Sequence, residues 1–429
     1  LVTNGAVNQS VNAGNTFLNV LPDTCRIASI YTRNGLPDER VEAAFCVNEK
    51  MIFRRLLGKA EPVGRVVTER DATGTAHHAE EVNEKLIRFM QKNRFTVFFW
   101  AQDLLWRTNV WKTKEMENFI RDFNPDVIFT FFTNNIFLNR LILYVRKITQ
   151  KPLVIYSWDD NYHWNVFHRS PLRWISQFFE RHYMRKVFAQ ARKVYVVSEI
   201  QKQDYEKAFG VPCKVLTKSE DFSGEPPVKT QYNSPLQLVY TGNIGTNRWK
   251  SLAMIAEALR KLNQNRVRAQ LRIYTATPLT KKMQTALDVP GTSFLMGSVP
   301  ASEISAIQSD ADMLVHVEAF DRKNRLAVRQ SFSTKLVDYM KAARPILAVG
   351  PPDVASVEHL ARNRCALIAE SSGKIYQELK EALECSSKLD ELVHRAYMCG
   401  KRFHDKTKMQ NMILTDFNNI ITDGANNQT

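Results

Sequence analysis

Apolar runs of strand length alternate along this chain with amphipathic stretches of helix length, and the alternation stops only once. In the first half the runs are 27–31, 95–100, 127–132, 152–156 and 194–197. In the second half they are 238–241, 271–274, 294–296, 313–317, 345–349 and 366–368, with helices expected to begin near Trp249, Ala301, Ser333, Val354 and Ser372. A parallel strand is buried on both faces and needs a crossover helix to return, so this rhythm predicts parallel sheets covered by helices. The break falls at 222–235 (FSGEPPVKTQYNSP), where periodicity gives way to Gly, Pro and Ser. A chain of 429 residues is also long for one core. The predicted fold class is therefore α/β, with two Rossmann-like, doubly wound domains. They span 1–221 and 236–404 around the linker 222–235. The stretch 405–429 is expected to form a C-terminal helix that can cross back to the first domain, with a frayed polar tail from Thr422. The opening, LVTNGAVNQSVNAGNTFLNVLP, reads as a glycine loop entering a helix with no strand ahead of it. The first strand of the first domain is accordingly expected to lie before Leu1.

Composition narrows the function classes. No run of about 20 apolar residues occurs; the nearest, 127–145, is broken at Thr133-Asn134-Asn135 and at Asn139-Arg140. Six scattered cysteines form no C-x-x-C pair and have no His at metal-ligand spacing, which favours a reducing, cytoplasmic setting over a structural zinc. The net charge of +15 calls for an anionic partner. No nucleic-acid-binding signature is present, which leaves phosphorylated substrates and an anionic membrane surface.

Two stretches of the second half have the chemistry of a phosphate seat. In 331–351 (SFSTKLVDYMKAARPILAVGP), Ser333, Thr334 and Lys335 open a helix whose free N–H groups and dipole favour an anion. Asp338 follows one turn later, and the helix must end before Pro345. In 240–252 a strand runs into a glycine loop in which Gly242 and Gly245 permit close backbone approach and Arg248 or Lys250 supplies positive charge. Either stretch alone is equally consistent with an ordinary strand-to-helix turn. In the first half, 157–163 (SWDDNYH) and Ser198-Glu199 stand at carboxyl ends of strands, where open α/β sheets place ligands. Asp159 and Asp160 are adjacent and would point apart on an extended chain, so a substrate-contact loop fits them better than a metal site. His163 can donate or accept near neutrality, or simply stand half-exposed in its loop. Between Arg169 and Lys193 basic and aromatic residues interleave, which suits either an anionic membrane surface or aromatics packed on the sheet beneath solvated arginines.

Taken in order, 242–252, then 294–300 (FLMGSVP), then 311–317 (ADMLVHV), then Ser333-Thr334-Lys335 through Asp338 to Arg344-Pro345, the second half resembles the carboxyl-terminal domain of GT-B-fold glycosyltransferases of family 4 (glycosyl transferases group 1), bacterial surface-polysaccharide type. In the first half the resemblance rests on the Asn4-Gly5 opening, Ser198-Glu199 and the helical tail. It implies that the two domains face a cleft, with a donor site in which Gly297, Ser298 and Val299 recognise the base through backbone contacts, and Ser333, Thr334 and Lys335 hold the donor diphosphate. Asp338 would take the ribose as the second acid of an E-x7-E motif, and Arg248 would stand for the family's phosphate-binding lysine. Gly5, Gly242, Asn243 and Lys250 would border the donor, and His163 would match the histidine that contacts the donor sugar. Two positions depart from the pattern: Gln330 stands where the first acid belongs, and Asn243 stands where an arginine is usual. Glu318 is near enough in sequence to supply a carboxylate.

The implied activity is transfer of a sugar from a nucleoside-diphosphate sugar to a glycan or lipid-linked acceptor in cell-surface polysaccharide or lipid-linked oligosaccharide synthesis, with retention. His163, Arg248 and Lys335 would be the catalytic groups. No cofactor and no metal is expected, the nucleotide sugar being a co-substrate, and no nucleic-acid partner. The expected location is cytoplasmic, peripheral on the inner face of the membrane through 169–193. Alternatives within the same fold are a sugar-nucleotide epimerase, a phosphorylase, or a catalytically silent scaffold.

Overall fold

The computed structural model describes residues 1–7, 17–33, 35–67, 96–163 and 170–426. Two compact α/β units make up the chain: Leu1–Val196 with Lys202–Val215 and Gln410–Thr429, and Val197–Gln201 with Leu216–Met409. No helix among the described residues is long and apolar enough to cross a membrane.

The first unit is built on eight strands: β1 (Val2–Thr3), β2 (Ile27–Tyr31), β3 (Val41–Cys46), β4 (Arg65–Val67), β5 (Ile128–Phe131), β6 (Leu153–Ser157), β7 (Ala191–Val196) and β8 (Cys213–Val215). Their spatial order is β4-β3-β2-β1-β5-β6-β7-β8, with β4 antiparallel at the edge and every other pairing parallel. The opening thus differs from expectation. Val2 and Thr3 are a strand, seated at the centre between β2 and β5, where Thr130 Oγ1 donates to Val2 O at 2.8 Å. Two residues are too few to show a period, which is why the sequence hid them. A second difference lies at 95–100, expected as a strand: residues Thr96–Arg107 form a helix, and Phe95 lies outside the described residues. Trp106 there is buried and donates through Nε1 to Glu49 at 3.0 Å. Tertiary packing has overridden the β-propensity of the aromatic run. The last helix, Lys406–Asn426, continues past Thr422. Its Asp416, buried, accepts from Tyr195 Oη at 2.9 Å and pairs with Lys214 at 2.6 Å and Lys193 at 3.3 Å.

The second unit carries β9 (Leu236–Thr241), β10 (Ala269–Tyr274), β11 (Ser293–Gly297), β12 (Met313–Val317), β13 (Ile346–Val349) and β14 (Leu367–Ala369), all parallel, in the order β11-β10-β9-β12-β13-β14. The period of two sorts side chains into two layers. Leu238, Tyr240, Met313, Val315, Leu347 and Val349 pack on one face, against the helices Arg248–Leu262 and Ser372–Glu384. Val239, Leu314, Ile346 and Ala348 pack on the other, against Lys335–Ala342 and Ser386–Phe403. Residues 222–235 are pinned to this unit rather than spanning freely. Phe222 is buried against Tyr397, and the buried carboxylate of Asp312 takes Lys229 Nζ at 2.6 Å and the backbone N of Asn233 at 3.2 Å. The strand order reverses between β9 and β12, so their carboxyl ends diverge and leave a crevice, the place where such sheets bind ligands.

Candidate functional site

The crevice begins where β9 ends. Thr241 is buried, its hydroxyl accepts from Gln308 Nε2 at 3.0 Å, and its carbonyl accepts from Lys335 Nζ at 2.9 Å. Gly242 follows at φ +135°, and a Cβ there would stand 2.7 Å from Lys335 Nζ. The glycine is therefore required twice, for its backbone and for the ammonium packed on it. Asn243 turns inward on its own loop: its Oδ1 accepts from Gly245 N, and its carbonyl accepts from Tyr240 Oη at 2.6 Å. That turn keeps Asn243 from serving as a cation substitute.

At the end of β12, Glu318 is buried and accepts both Nε (3.0 Å) and an Nη (3.3 Å) of Arg248, the first residue of its helix. Burial opposes the guanidinium charge, but the facing carboxylate outweighs it and raises the Arg248 pKa. Ser251 Oγ donates to Glu318 O at 2.7 Å and locks the strand end to the same helix. Lys335 begins the helix Lys335–Ala342, with its ammonium 4.4 Å from the Tyr240 ring centroid. Burial, then the repulsion of Arg248, pushes its pKa down to about 8. His316, the single polar residue of the β12 run, is buried with neither ring nitrogen hydrogen-bonded, its Nε2 3.6 Å from Glu318 Oε1. Burial holds it far below the usual histidine range, and Lys335 and Arg248 add to that.

Asp338, one turn into the same helix, pairs with Lys218, which also reaches Glu220 at 3.2 Å. Burial raises the Asp338 carboxyl against the opposing pull of Lys218. Lys218 was not singled out in the sequence, since its partner is 120 residues away and no local pattern marks it. Beside Gly242 a cavity of about 380 Å³ opens, lined in part by Tyr274, Thr275, Thr277, Ser298 and Val299. Gly297, at φ +79°, ends β11 with its carbonyl accepting from Thr275 N at 2.8 Å.

The structure thus gathers Gly242, Arg248, Glu318 and Lys335, with Asp338 along the same helix and Asn243, Ser298 and Val299 at the cavity. Lys250 is not part of this group; it is exposed, with its ammonium 5.8 Å from the Trp249 ring centroid. Ser333 precedes the helix, its N donating to Ser356 Oγ at 2.8 Å, and Thr334 caps the helix without a side-chain bond. Gln330 is buried, and its carbonyl accepts from Ser198 Oγ at 2.7 Å. An acid there would be buried beside a backbone already committed, whereas Glu318 presents its carboxylate to Arg248.

Two sequence candidates belong to the first unit. Gly5 follows β1, its carbonyl accepting from Thr3 Oγ1 at 2.7 Å. His163 donates its backbone N to Asp160 Oδ1 at 3.0 Å and sets its ring Nδ1 3.0 Å from the same oxygen. Burial would raise the Asp160 carboxyl, but these bonds more than compensate and lower it. Asp160 is thereby an orienting group for His163. Among the described residues no cluster of three or more His, Cys, Asp or Glu side chains could hold a metal.

Open sheets whose strand order reverses at the centre define the doubly wound α/β class, and here two such sheets occur in one chain, with fixed charges gathered at the reversal of the second. Residues 66–217 match the family model Glycosyltransferase Family 4. No curated protein matches the sequence. Among solved structures, the chain is similar to a variant of TarM from S. aureus in complex with fondaparinux, alpha-GlcNAc-glycerol and UDP. The TM-score is 0.50 at 12% identity over 70% of this chain and 58% of that one. It is also similar to sucrose-phosphate synthase of Thermosynechococcus elongatus, with a TM-score of 0.60 at 9% identity over 99% and 96% of the two chains. A third similar structure is Anabaena HepE in complex with UDP, with a TM-score of 0.58 at 11% identity over 97% and 98%. The chain spans less than two thirds of the length of TarM. The fold is that of GT-B glycosyltransferases.

Proposed function

We propose that the protein is a glycosyltransferase that moves a sugar from a nucleoside-diphosphate sugar to a glycan or lipid-linked acceptor of cell-surface polysaccharide synthesis, with retention. The observation that carries this reading is the convergence of Arg248 and Lys335 on the Gly242 turn at the strand reversal, next to a cavity able to take a base. The family match at 66–217 and the UDP held by TarM and HepE support the same donor class. In the reaction the acceptor oxygen bonds to the anomeric carbon as the bond from that carbon to the diphosphate oxygen breaks. The bonding pair leaves with the diphosphate, and the acceptor proton passes to a leaving phosphate oxygen on the same face. Charge grows on the diphosphate in the transition state, where fixed cations act most strongly. Lys335 and Arg248 supply that charge without a divalent cation. Asp338 accepts from the ribose hydroxyls once Lys218 shares it, and Glu318 holds Arg248 in place. By the family resemblance His163, which Asp160 orients, is assigned to the donor sugar.

Calorimetric titration with UDP and with GDP tests the donor site directly. Saturable binding of one of them is the expected result; binding of neither overturns the reading. Incubation with a nucleotide sugar and no acceptor then separates transfer from epimerisation, because only an epimerase converts the donor by itself.

A further inference from the structure

Apolar exposure in this molecule is concentrated in one place. Of the eighteen large apolar side chains that stand exposed among the described residues, ten lie on or directly after three helices of the first unit. Glu49–Leu56 and the residue after it present Phe53, Leu56 and Leu57; Thr96–Arg107 presents Phe99, Trp100 and Leu104. Pro171–Phe188 presents Leu172, Ile175, Phe178 and Phe179, with Phe178 65% exposed. The helices are neighbours, Thr96–Arg107 packing on both of the others. On Pro171–Phe188 the buried residues Ser176, Glu180, Met184 and Val187 form one stripe, and the exposed apolar residues form another turned away from it. A soluble surface rarely leaves so many large apolar groups together.

Charge on these helices is segregated in the same sense. They contain eight basic and three acidic residues. All three acids are used inside the unit. Glu49 accepts from Gln102 at 2.6 Å and from Trp106 at 3.0 Å, Glu180 is buried and paired with Arg173, and Asp103 is half-buried beside Phe137. Of the basic residues, Lys50, Arg55, Arg107, Arg185 and Lys186 are exposed. The acids therefore hold the helices together while the outer face is apolar and cationic. A second copy of the same face would bring like charges together, which disfavours a symmetric dimer here.

We infer that these three helices form an interfacial docking face for an anionic phospholipid bilayer, with the aromatic side chains entering the headgroup boundary and the basic ones meeting lipid phosphates. The face takes in more than the basic segment visible in the sequence, since Phe53 and Trp100 stand on helices that no charge run marks. Arg169 lies outside the described residues and is not needed for it. The inference is independent of the proposed transfer activity.

The test is flotation of the purified full chain with phosphatidylcholine vesicles and with vesicles containing about one third phosphatidylglycerol. Wild type is expected to float with the anionic vesicles and to lose that partition in high salt. Phe178→Ser/Phe179→Ser is expected to lower the partition by about tenfold, and Lys186→Glu by about fivefold. Because all three side chains are exposed, thermal unfolding of the variants is expected to match wild type, which separates lost docking from lost folding. No flotation with anionic vesicles overturns the inference, and so does flotation that the variants leave unchanged. A dimer in solution that the same substitutions dissociate, with no vesicle binding, also overturns it. Since no nucleotide enters the experiment, its failure leaves the UDP and GDP titration to decide the donor site separately.

Discussion

The two units share one strand order around their reversal and place opposite chemistry in it. In the second unit the crevice between β9 and β12 is charged: Arg248, Glu318 and Lys335 converge there, and Lys218 and Asp338 pair one turn along the helix. In the first unit the corresponding place, between β1 and β5, is held by uncharged groups. Thr32 Oγ1 donates to Asn4 at 3.0 Å, and Thr3 Oγ1 donates to Gly5 O. Topology thus supplies a crevice in both, and the side chains at the strand ends decide what can enter. Fixed cations suit a diphosphate, whereas hydroxyls and amides suit a neutral polyol.

The largest expected effect falls on Lys335. Lys335→Ala removes the ammonium that touches the Gly242 turn, and turnover is expected to fall by about 100- to 1,000-fold with every acceptor, by analogy with losing one fixed transition-state donor. Retention of turnover within a few-fold would place the anion site elsewhere. Arg248→Ala is next, and its first readout is stability. It strands the buried Glu318 carboxylate, with an expected loss of about 3 kcal/mol in denaturant unfolding. Adding Glu318→Gln should recover much of that loss, because a neutral amide needs no counter-charge; equal instability in the double variant would show that the pair is not the cause.

The lowered Lys335 gives the charged crevice a pH signature. UDP favours the protonated ammonium, and above about pH 8 the free protein must first take up a proton to bind. Affinity is therefore expected to fall about tenfold between pH 7 and pH 9. In Lys335→Arg the guanidinium stays charged and the slope should vanish. The first unit predicts the reverse pattern for His163→Ala: UDP affinity within about twofold of wild type and turnover lower by about tenfold or more. Loss of UDP binding in that variant would mean that the division between the units is wrongly drawn.

Much of this was legible in the sequence because it is carried by period and by local pairs of residues. The six strands of the second sheet, the Gly242 turn and the Lys335 helix all announce themselves within a dozen residues. What stayed hidden depends on distance. The pairing of Lys218 with Asp338 spans 120 residues, and no pattern near Lys218 marks it. Glu318 was seen as a nearby carboxylate, but its bidentate hold on Arg248 follows only from where β12 ends relative to the helix after β9. Asn243 and Lys250 have the right residue types at the right spacing. Asn243 lines the cavity with its side chain held by its own turn, whereas the outward face of a helix carries Lys250 away. The strand read at 95–100 fails for a related reason: Trp106 and Glu49 decide that segment's conformation, and Glu49 is far from it in sequence.

The smallest expected effect is also the cleanest contrast, because it compares one atom added at two equivalent turns. A Cβ at Gly242 meets Lys335 Nζ at 2.7 Å on a backbone of positive φ, whereas a Cβ at Gly5 meets no atom within 4 Å. Gly242→Ala must therefore displace the ammonium from Thr241 O, and UDP affinity is expected to drop by about tenfold or more. Gly5→Ala adds a methyl to open space without backbone strain, so unfolding should change by less than about 0.5 kcal/mol and UDP affinity not at all. Any loss of turnover in Gly5→Ala then reports a substrate group passing within a methyl radius of that turn, which neither folding nor nucleotide binding would register. Full turnover would remove Gly5 from the site and leave β1 with a purely structural role.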